Sequence, residues 1–304
     1  MKIISMSDIH GDFETFDKAL EIVRESKADV LAISGDLNGN HFDEQEKKQF
    51  YEAYKMLLNM SLQLNQRSNG QGRINCYDAA GLITSGKIQS NNKIREKAIT
   101  YLNIGEKGKK KIADNYVEFK KRFDTLEQRV FIVPGDLDTN YIDDVLAPYN
   151  LHLRFPEEVK GFKFAGYGGA AEIPLDIPQE SVMRYNMKEG FSHLSNHEDA
   201  SVVLTHTPPI GFEGSNKYEG NPLLLAYLYR IEPDLILSGH NHVPFVSKEP
   251  KTGTIVANPG LLGKYNNENN GTFMEIDVDE YKVSPITLYN LNGQNIDLRD
   301  KVFQ

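Results

Sequence analysis

Five short apolar runs in this chain end in aspartate or histidine, side chains that bind cations or move protons. "KIISMS" leads into Asp8 and His10, "DVLAIS" into Gly35-Asp36, and "RVFIVP" into Gly135-Asp136. "SVVLT" leads into His206, and "DLILS" into Gly239-His240-Asn241-His242. Together Asp8, His10, Asp36, Asp136, His206, His240 and His242 make an oxygen and nitrogen donor set without sulfur. Such a set suits divalent manganese, iron, zinc or cobalt. Seven donors exceed one tetrahedral site and suit two ions of higher coordination that share a bridging group. A lone Gly-Asp after a strand usually only shapes a turn, and a single histidine is more often a hydrogen-bonded core residue. Five blocks in order, each at a strand-to-loop transition, are hard to reconcile with that bland reading.

Elements must bring these ends together. The opening alternates strand, helix, strand: Phe13, Phe16, Leu20 and Val23 recur at helical spacing behind Asp12, a predicted N-cap. "DVLAIS" has the continuous apolar character of a buried parallel strand. This β-α-β start predicts an α/β sheet whose ligand groups sit at the carboxyl ends of the strands. Residues 40–128 depart from the pattern. Phe50, Tyr54, Leu57, Leu58 and Leu62 form one helical stripe, and Ile112, Tyr116, Phe119, Phe123 and Leu126 another. The Gly/Asn/Ser-rich stretch between them reads as loop. The expectation is one domain over residues 1–304 with a helical insertion at 40–128, its stripes packing the helices together and onto the core. Beyond it, "RVFIV", "FKFAGYGG", "SVVLT", "DLILSG", "GTIVAN" and "TFMEIDV" are predicted strands, and "PLLLAYLYRI" is a predicted helix.

Composition narrows the function classes. A chain of 304 residues can bury a substantial core. Its net charge of −9 argues against broad attraction to nucleic acid or anionic lipid. The single cysteine, Cys76, leaves neither an intrachain disulfide nor a cysteine-rich zinc site. The N-terminus reads as a first core strand and not a signal peptide, and no apolar run has membrane-spanning length. A soluble, cytoplasmic protein is expected.

The blocks "SDIHGD", "SGDLN", "VPGDLD", "THTPP", "SGHNHVPF" and "VANPGLL" give the chain outside the insertion a close likeness to a known pattern. It resembles the calcineurin-like metallophosphoesterase superfamily, in its Icc-like phosphoesterase branch. The resemblance implies a four-layer αββα sandwich of two mixed sheets with two divalent metals (Mn2+, Fe2+/Fe3+, Zn2+, Co2+ or Ni2+) at the strand tips. Carried over residue by residue, Asp8, His10, Asp36 and His242 hold one metal. Asp36, Asp136, His206 and His240 hold the other, with Asp36 bridging. The implied reaction is phosphoester hydrolysis by a dinuclear-metal-activated hydroxide, positioned by Asp36, Asp136 and His206. Two dications can clamp a phosphate, acidify a shared water and stabilise an in-line displacement.

One block departs from the family. Gly135-Asp136-Leu137-Asp138 stands where Gly-Asn-His is usual. Leucine cannot protonate a leaving oxygen, and a positioned general acid contributes roughly 10²–10⁴-fold. Asp136 makes the site less positive than asparagine would, which lessens discrimination in favour of dianionic monoesters and admits phosphodiesters as substrates. "GNHFD" at 39–43 imitates the missing block, but no strand separates it from Asp36, so Asp136 is the better ligand. His41 is a weak proton-donor candidate. Asn38 and Asn258 are weak substrate-contact candidates, Asn258 also as a clamp on a rim loop. Asp138 is expected to shape a turn, Tyr265 to lie at the surface, and His152, His193 and His197 to face solvent. The expected function is a phosphodiesterase-like metallophosphoesterase acting on phosphodiesters or small phosphorylated substrates. Its partners would include neither membrane nor nucleic acid, with an oligomer or partner contact possible through the insertion. The rival is a weakly catalytic or non-catalytic binding scaffold of the same fold; a nuclease is third.

Overall fold

The computed structural model describes residues 1–39, 42–67, 74–169, 183, 186–212, 220–265, 268–279, 283–291 and 296–297. The chain divides into two compact units, Met1–Gly39 with Asn115–Ile173 and Val182–Gln304, and Asn40–Asp114 with Pro174–Ser181.

In chain order the elements begin β1 (Lys2–Met6), α1 (Phe13–Glu25), β2 (Val30–Ser34), α2 (Glu44–Arg67), α3 (Cys76–Thr84) and α4 (Asn92–Phe123). There follow β3 (Arg129–Val133), α5 (Tyr141–Leu146), β4 (Glu157–Val159), β5 (Phe162–Tyr167), α6 (Met187–Ser195) and β6 (Val202–Thr205). The order continues with α7 (Pro222–Ile231), β7 (Leu235–Leu237), β8 (Phe245–Lys248), β9 (Ile255–Asn258), β10 (Lys264–Tyr265) and β11 (Glu268–Asn269). The last elements are β12 (Thr272–Val278), β13 (Val283–Asn290) and β14 (Ile296–Asp297).

Two mixed sheets build the larger unit, in the orders β14-β13-β12-β1-β2-β3 and β4-β5-β6-β7-β9-β8. In the first, β1, β2 and β3 run parallel, with Ile3 opposite Val30 and Ala32 opposite Phe131. In the second, β5, β6, β7 and β9 run parallel. The five predicted ligand blocks therefore rise from two sheets and not one. β1, β2 and β3 supply three of them, and β6 and β7 supply two. The two-residue period of a strand puts Ile3, Val30, Ala32, Phe131 and Val133 on one face. These pack with Phe164, Val202, Leu204, Leu235, Leu237 and Ala257 from the other sheet as a shared buried core.

Helices cover the outer faces. Phe16 of α1 meets Phe119 and Phe123 of α4 at ring-centroid distances of 5.4 and 6.2 Å. Asp12 caps α1 as predicted, accepting from Thr15 N at 3.2 Å. On the other side Leu194 of α6 and Leu224, Tyr227 and Leu228 of α7 pack with Val203, Ile236 and Val256. The result is the four-layer αββα sandwich, with helices inserted between β2 and β3.

The helical unit has its own core. Phe50, Ala53 and Leu57 of α2 pack with Cys76, Ala79, Ala80 and Ile83 of α3 and with Ala98 and Tyr101 of α4. Phe50 and Tyr101 stack at 4.6 Å. The polar stretch predicted to be loop thus contains a helix. Asn75 and Asp78 form a reciprocal capping box, and the small apolar residues behind them fall at helical spacing. Among the described residues no helix is long and apolar enough to cross a membrane.

Candidate metal centre

Backbone zipping brings the first blocks together. Beyond β1 and β2, Asp8 N donates to Gly35 O at 3.1 Å, His10 N to Asp36 O at 3.0 Å and Gly11 N to Leu37 O at 2.7 Å. From the second sheet, Gly239 N donates to His206 O at 2.8 Å, and His240 N reaches Asp8 Oδ2 at 3.1 Å. The "VANPGLLG" segment closes the ring: Leu262 N and Gly263 N donate to Ser7 O and Asp8 O.

These turns are strained. Asp8, His10, Asp36, His240 and His242 all have φ between 50° and 73°, in the left-handed region that L side chains avoid. Such conformations cost about 1–3 kcal/mol each and persist where surrounding structure over-determines them. Glycine makes the close approach possible. A Cβ on Gly35, where φ is +89°, would sit 2.5 Å from His206 Nδ1, and one on Gly135 would run into Asp36 Oδ1.

All seven predicted donors gather in three overlapping groups. Asp8, His10 and His242 form one, Asp136, His206 and His240 a second, and Asp8, Asp36 and His206 a third that joins them. Within each group the potential ligand atoms lie within 4.8 Å of one another. His206 Nε2 is 2.8 Å from Asp136 Oδ1 and 3.6 Å from Asp36 Oδ2. His240 Nδ1 is 3.5 Å from Asp136 Oδ1, and His242 Nε2 is 3.5 Å from Asp8 Oδ1.

The donor chemistry fits a cation. His206 Nδ1 faces Ser34 O at 2.8 Å and His10 Nδ1 faces Asn38 O at 3.3 Å, while His242 Nδ1 faces Glu268 Oε2 at 3.2 Å. When each acceptor takes the proton on Nδ1, a neutral ring turns its Nε2 lone pair toward the cluster. The Nε2 atoms of His10 and His242 then face each other at 3.1 Å, an arrangement that calls for positive charge between them. Among the described residues, Asp8 Oδ1 is buried without a hydrogen-bond partner. Outer hydrogen bonds of this kind orient imidazole ligands at metal sites.

Electrostatics point the same way. Burial opposes charge on His206, yet Asp36, Asp136 and Asp8 outweigh it and hold the imidazole well above its usual range. Burial drives the Asp36 carboxyl well up, and Asp136 adds to that. Asp136 is also partly desolvated, but hydrogen bonds with His206 and His240 hold it well below the usual carboxylate range. Burial takes His10 down to about 4, leaving a neutral ring.

The remaining candidates act around this cluster. Leu137 is buried, and its N–H donates to Asp36 Oδ1 at 2.8 Å. Asp138 does more than shape a turn: fully buried, it accepts from Gly135 N, Leu37 N, Asn38 N and Tyr116 Oη, tying the β2 and β3 loops to α4. Asn38 is buried, and its Oδ1 accepts from Asn115 at 3.0 Å. Asn258 is buried with its amide engaged at both ends, by Gly239 O at 2.6 Å and Gly260 N at 2.8 Å. His41 lies outside the described residues. His152 corrects the solvent-facing reading. It is buried, its ring lies 4.6 Å from that of Tyr167, and Nδ1 accepts from Gly168 N. His193 is half-buried on α6. Tyr265 is not a bystander either: its ring stacks on His10 at 4.3 Å and meets His242 edge-on at 5.2 Å. Sequence reasoning missed Glu268 altogether; its signal was a lone carboxylate in an asparagine-rich turn.

A two-sheet sandwich with aspartate and histidine clusters at its strand tips defines a metal-binding hydrolase scaffold. The chain belongs to the calcineurin-like phosphoesterase family, whose model matches residues 1–81 and 100–244. Members of this family typically hold divalent metals, and the clusters here are able to hold them. Among solved structures, TT1561 of Thermus thermophilus is 16% identical, with a TM-score of 0.56 over 95% of this chain and 98% of that one. A second structure, 17% identical, covers 95% of this chain and 98% of its own with a TM-score of 0.59. At these identities the likeness shows the fold. A search of curated proteins found no match to the chain.

Proposed function

We propose that this phosphoesterase works with two divalent cations and hydrolyses phosphodiesters or small phosphorylated substrates. The observation that carries the reading is the convergence of Asp8, His10, Asp36, Asp136, His206, His240 and His242 in three overlapping groups, within each of which the ligand atoms lie within 4.8 Å of one another. Asp8, His10, Asp36 and His242 would hold one cation, and Asp36, Asp136, His206 and His240 the other. When bound, the cations supply positive charge for the phosphoryl oxygens and acidify water. The protein's share is placement. Leu137 N–H fixes the Asp36 carboxylate between the two groups, and Asn258 clamps the turn that carries His240.

Two features narrow the substrate. Leu137 supplies no proton to a leaving oxygen, so esters whose leaving group is already acidic are favoured. Asp136 removes one unit of positive charge relative to asparagine, which lowers the advantage of a dianionic monoester over a monoanionic diester. The test combines elemental analysis of freshly purified protein with Mn2+-dependent hydrolysis of bis-p-nitrophenyl and p-nitrophenyl phosphate. About two metal equivalents per chain and faster diester cleavage are expected. Metal-free protein that stays inert with added Mn2+ would instead assign the chain to the scaffold reading that Leu137 favours.

A further inference from the structure

The β10 and β11 strands pair antiparallel, with Lys264 opposite Asn269 and Tyr265 opposite Glu268. Both residues of the second pair reach the His10–His242 side of the cluster. Tyr265 stacks on the His10 ring, and Glu268 Oε2 lies 3.2 Å from His242 Nδ1. Asn270, just after β11, donates from Nδ2 to His242 O at 3.2 Å. His242 is therefore gripped at its ring and its backbone by one short segment.

We infer that Glu268 is a positioning residue for His242, setting the tautomer that turns Nε2 toward Asp8 and so tuning one of the two cation positions. This rests on the two-cation reading above. His206 shows the contrast, because its Nδ1 is held by a backbone carbonyl that no side-chain substitution removes. A carboxylate accepting from the far nitrogen also makes the imidazole a better donor, and removing such a partner typically costs about 10–100-fold in metal affinity. Glu268 has a half-exposed side chain, so its replacement leaves the fold intact.

Titration calorimetry with Mn2+ tests the inference on metal-stripped wild type, Glu268→Ala and Glu268→Gln. Glu268→Ala is expected to weaken one equivalent by about 10–100-fold and leave the other at the wild-type value. Glu268→Gln keeps an acceptor oxygen and recovers most of the loss. Unchanged affinity for both equivalents in Glu268→Ala, or equal weakening of both, would overturn the assignment. Wild type that binds no Mn2+ would overturn the two-cation reading itself, and the inference with it.

Discussion

The floor of the cluster and its rim are built differently. Asp8, Asp36 and His206 form the floor and are at most 3% exposed. Asp136, His240 and His242 form the rim, with side chains 18–27% exposed. The floor is set by main chain: parallel β1 and β2, their zipped loops, and the Ser34 carbonyl behind His206. The rim leans on side chains, with Glu268 behind His242 and Asp136 shared between His206 and His240. Main-chain positions tolerate no substitution that alters the turn, whereas side-chain partners can be changed singly. The floor should decide whether cations bind; the rim should decide how tightly and which ester is preferred.

The largest expected effect comes from the centre of the floor. Asp36→Asn should cost both metal equivalents and reduce hydrolysis by more than the roughly 10–100-fold typical of an outer partner. Metal analysis and steady-state rates check this, and retention of both equivalents would erase the distinction between floor and rim. Gly35→Ala forces a Cβ against His206 on a left-handed backbone. It should destabilise the protein by about 1–3 kcal/mol or more in urea unfolding, through strain and overpacking.

On the rim, Asp136→Asn should keep both cations while shifting preference from diester toward monoester by on the order of tenfold. An unchanged ratio would remove the charge argument. The smallest effect lies behind the loops. Tyr116→Phe deletes the hydroxyl that donates to Asp138 and accepts from Thr139 N. It should cost about 1–2 kcal/mol in stability with little change in diester preference.

What could be read from sequence divides differently, between the donors and the residues that support them. Several donor blocks announce themselves through glycine: Gly35 stands before Asp36, Gly135 before Asp136 and Gly239 before His240, and Asp36 and His240 take left-handed backbone. The strands behind them carry unbroken apolar runs, so β1, β2, β3, β6 and β7 were legible as well. That two sheets share the rim was not, because a strand's apolar character does not name its neighbours; the family resemblance supplied it. Rim support left no pattern: Tyr265 and Glu268 belong to two-residue strands in an asparagine-rich segment, too short for any periodicity. α3 hid for the opposite reason, its apolar face being made of Ala79, Ala80 and Cys76 amid polar, glycine-containing sequence. His152 sat in a polar stretch but is drawn inside by its bridge to β5.

Anomalous diffraction from crystals equilibrated with Mn2+ tests the central claim most directly. Two peaks are expected, one bounded by Asp8, His10 and His242 and the other by Asp136, His206 and His240, with Asp36 between them. A folded crystal at saturating Mn2+ with no peak inside that ring would contradict the account.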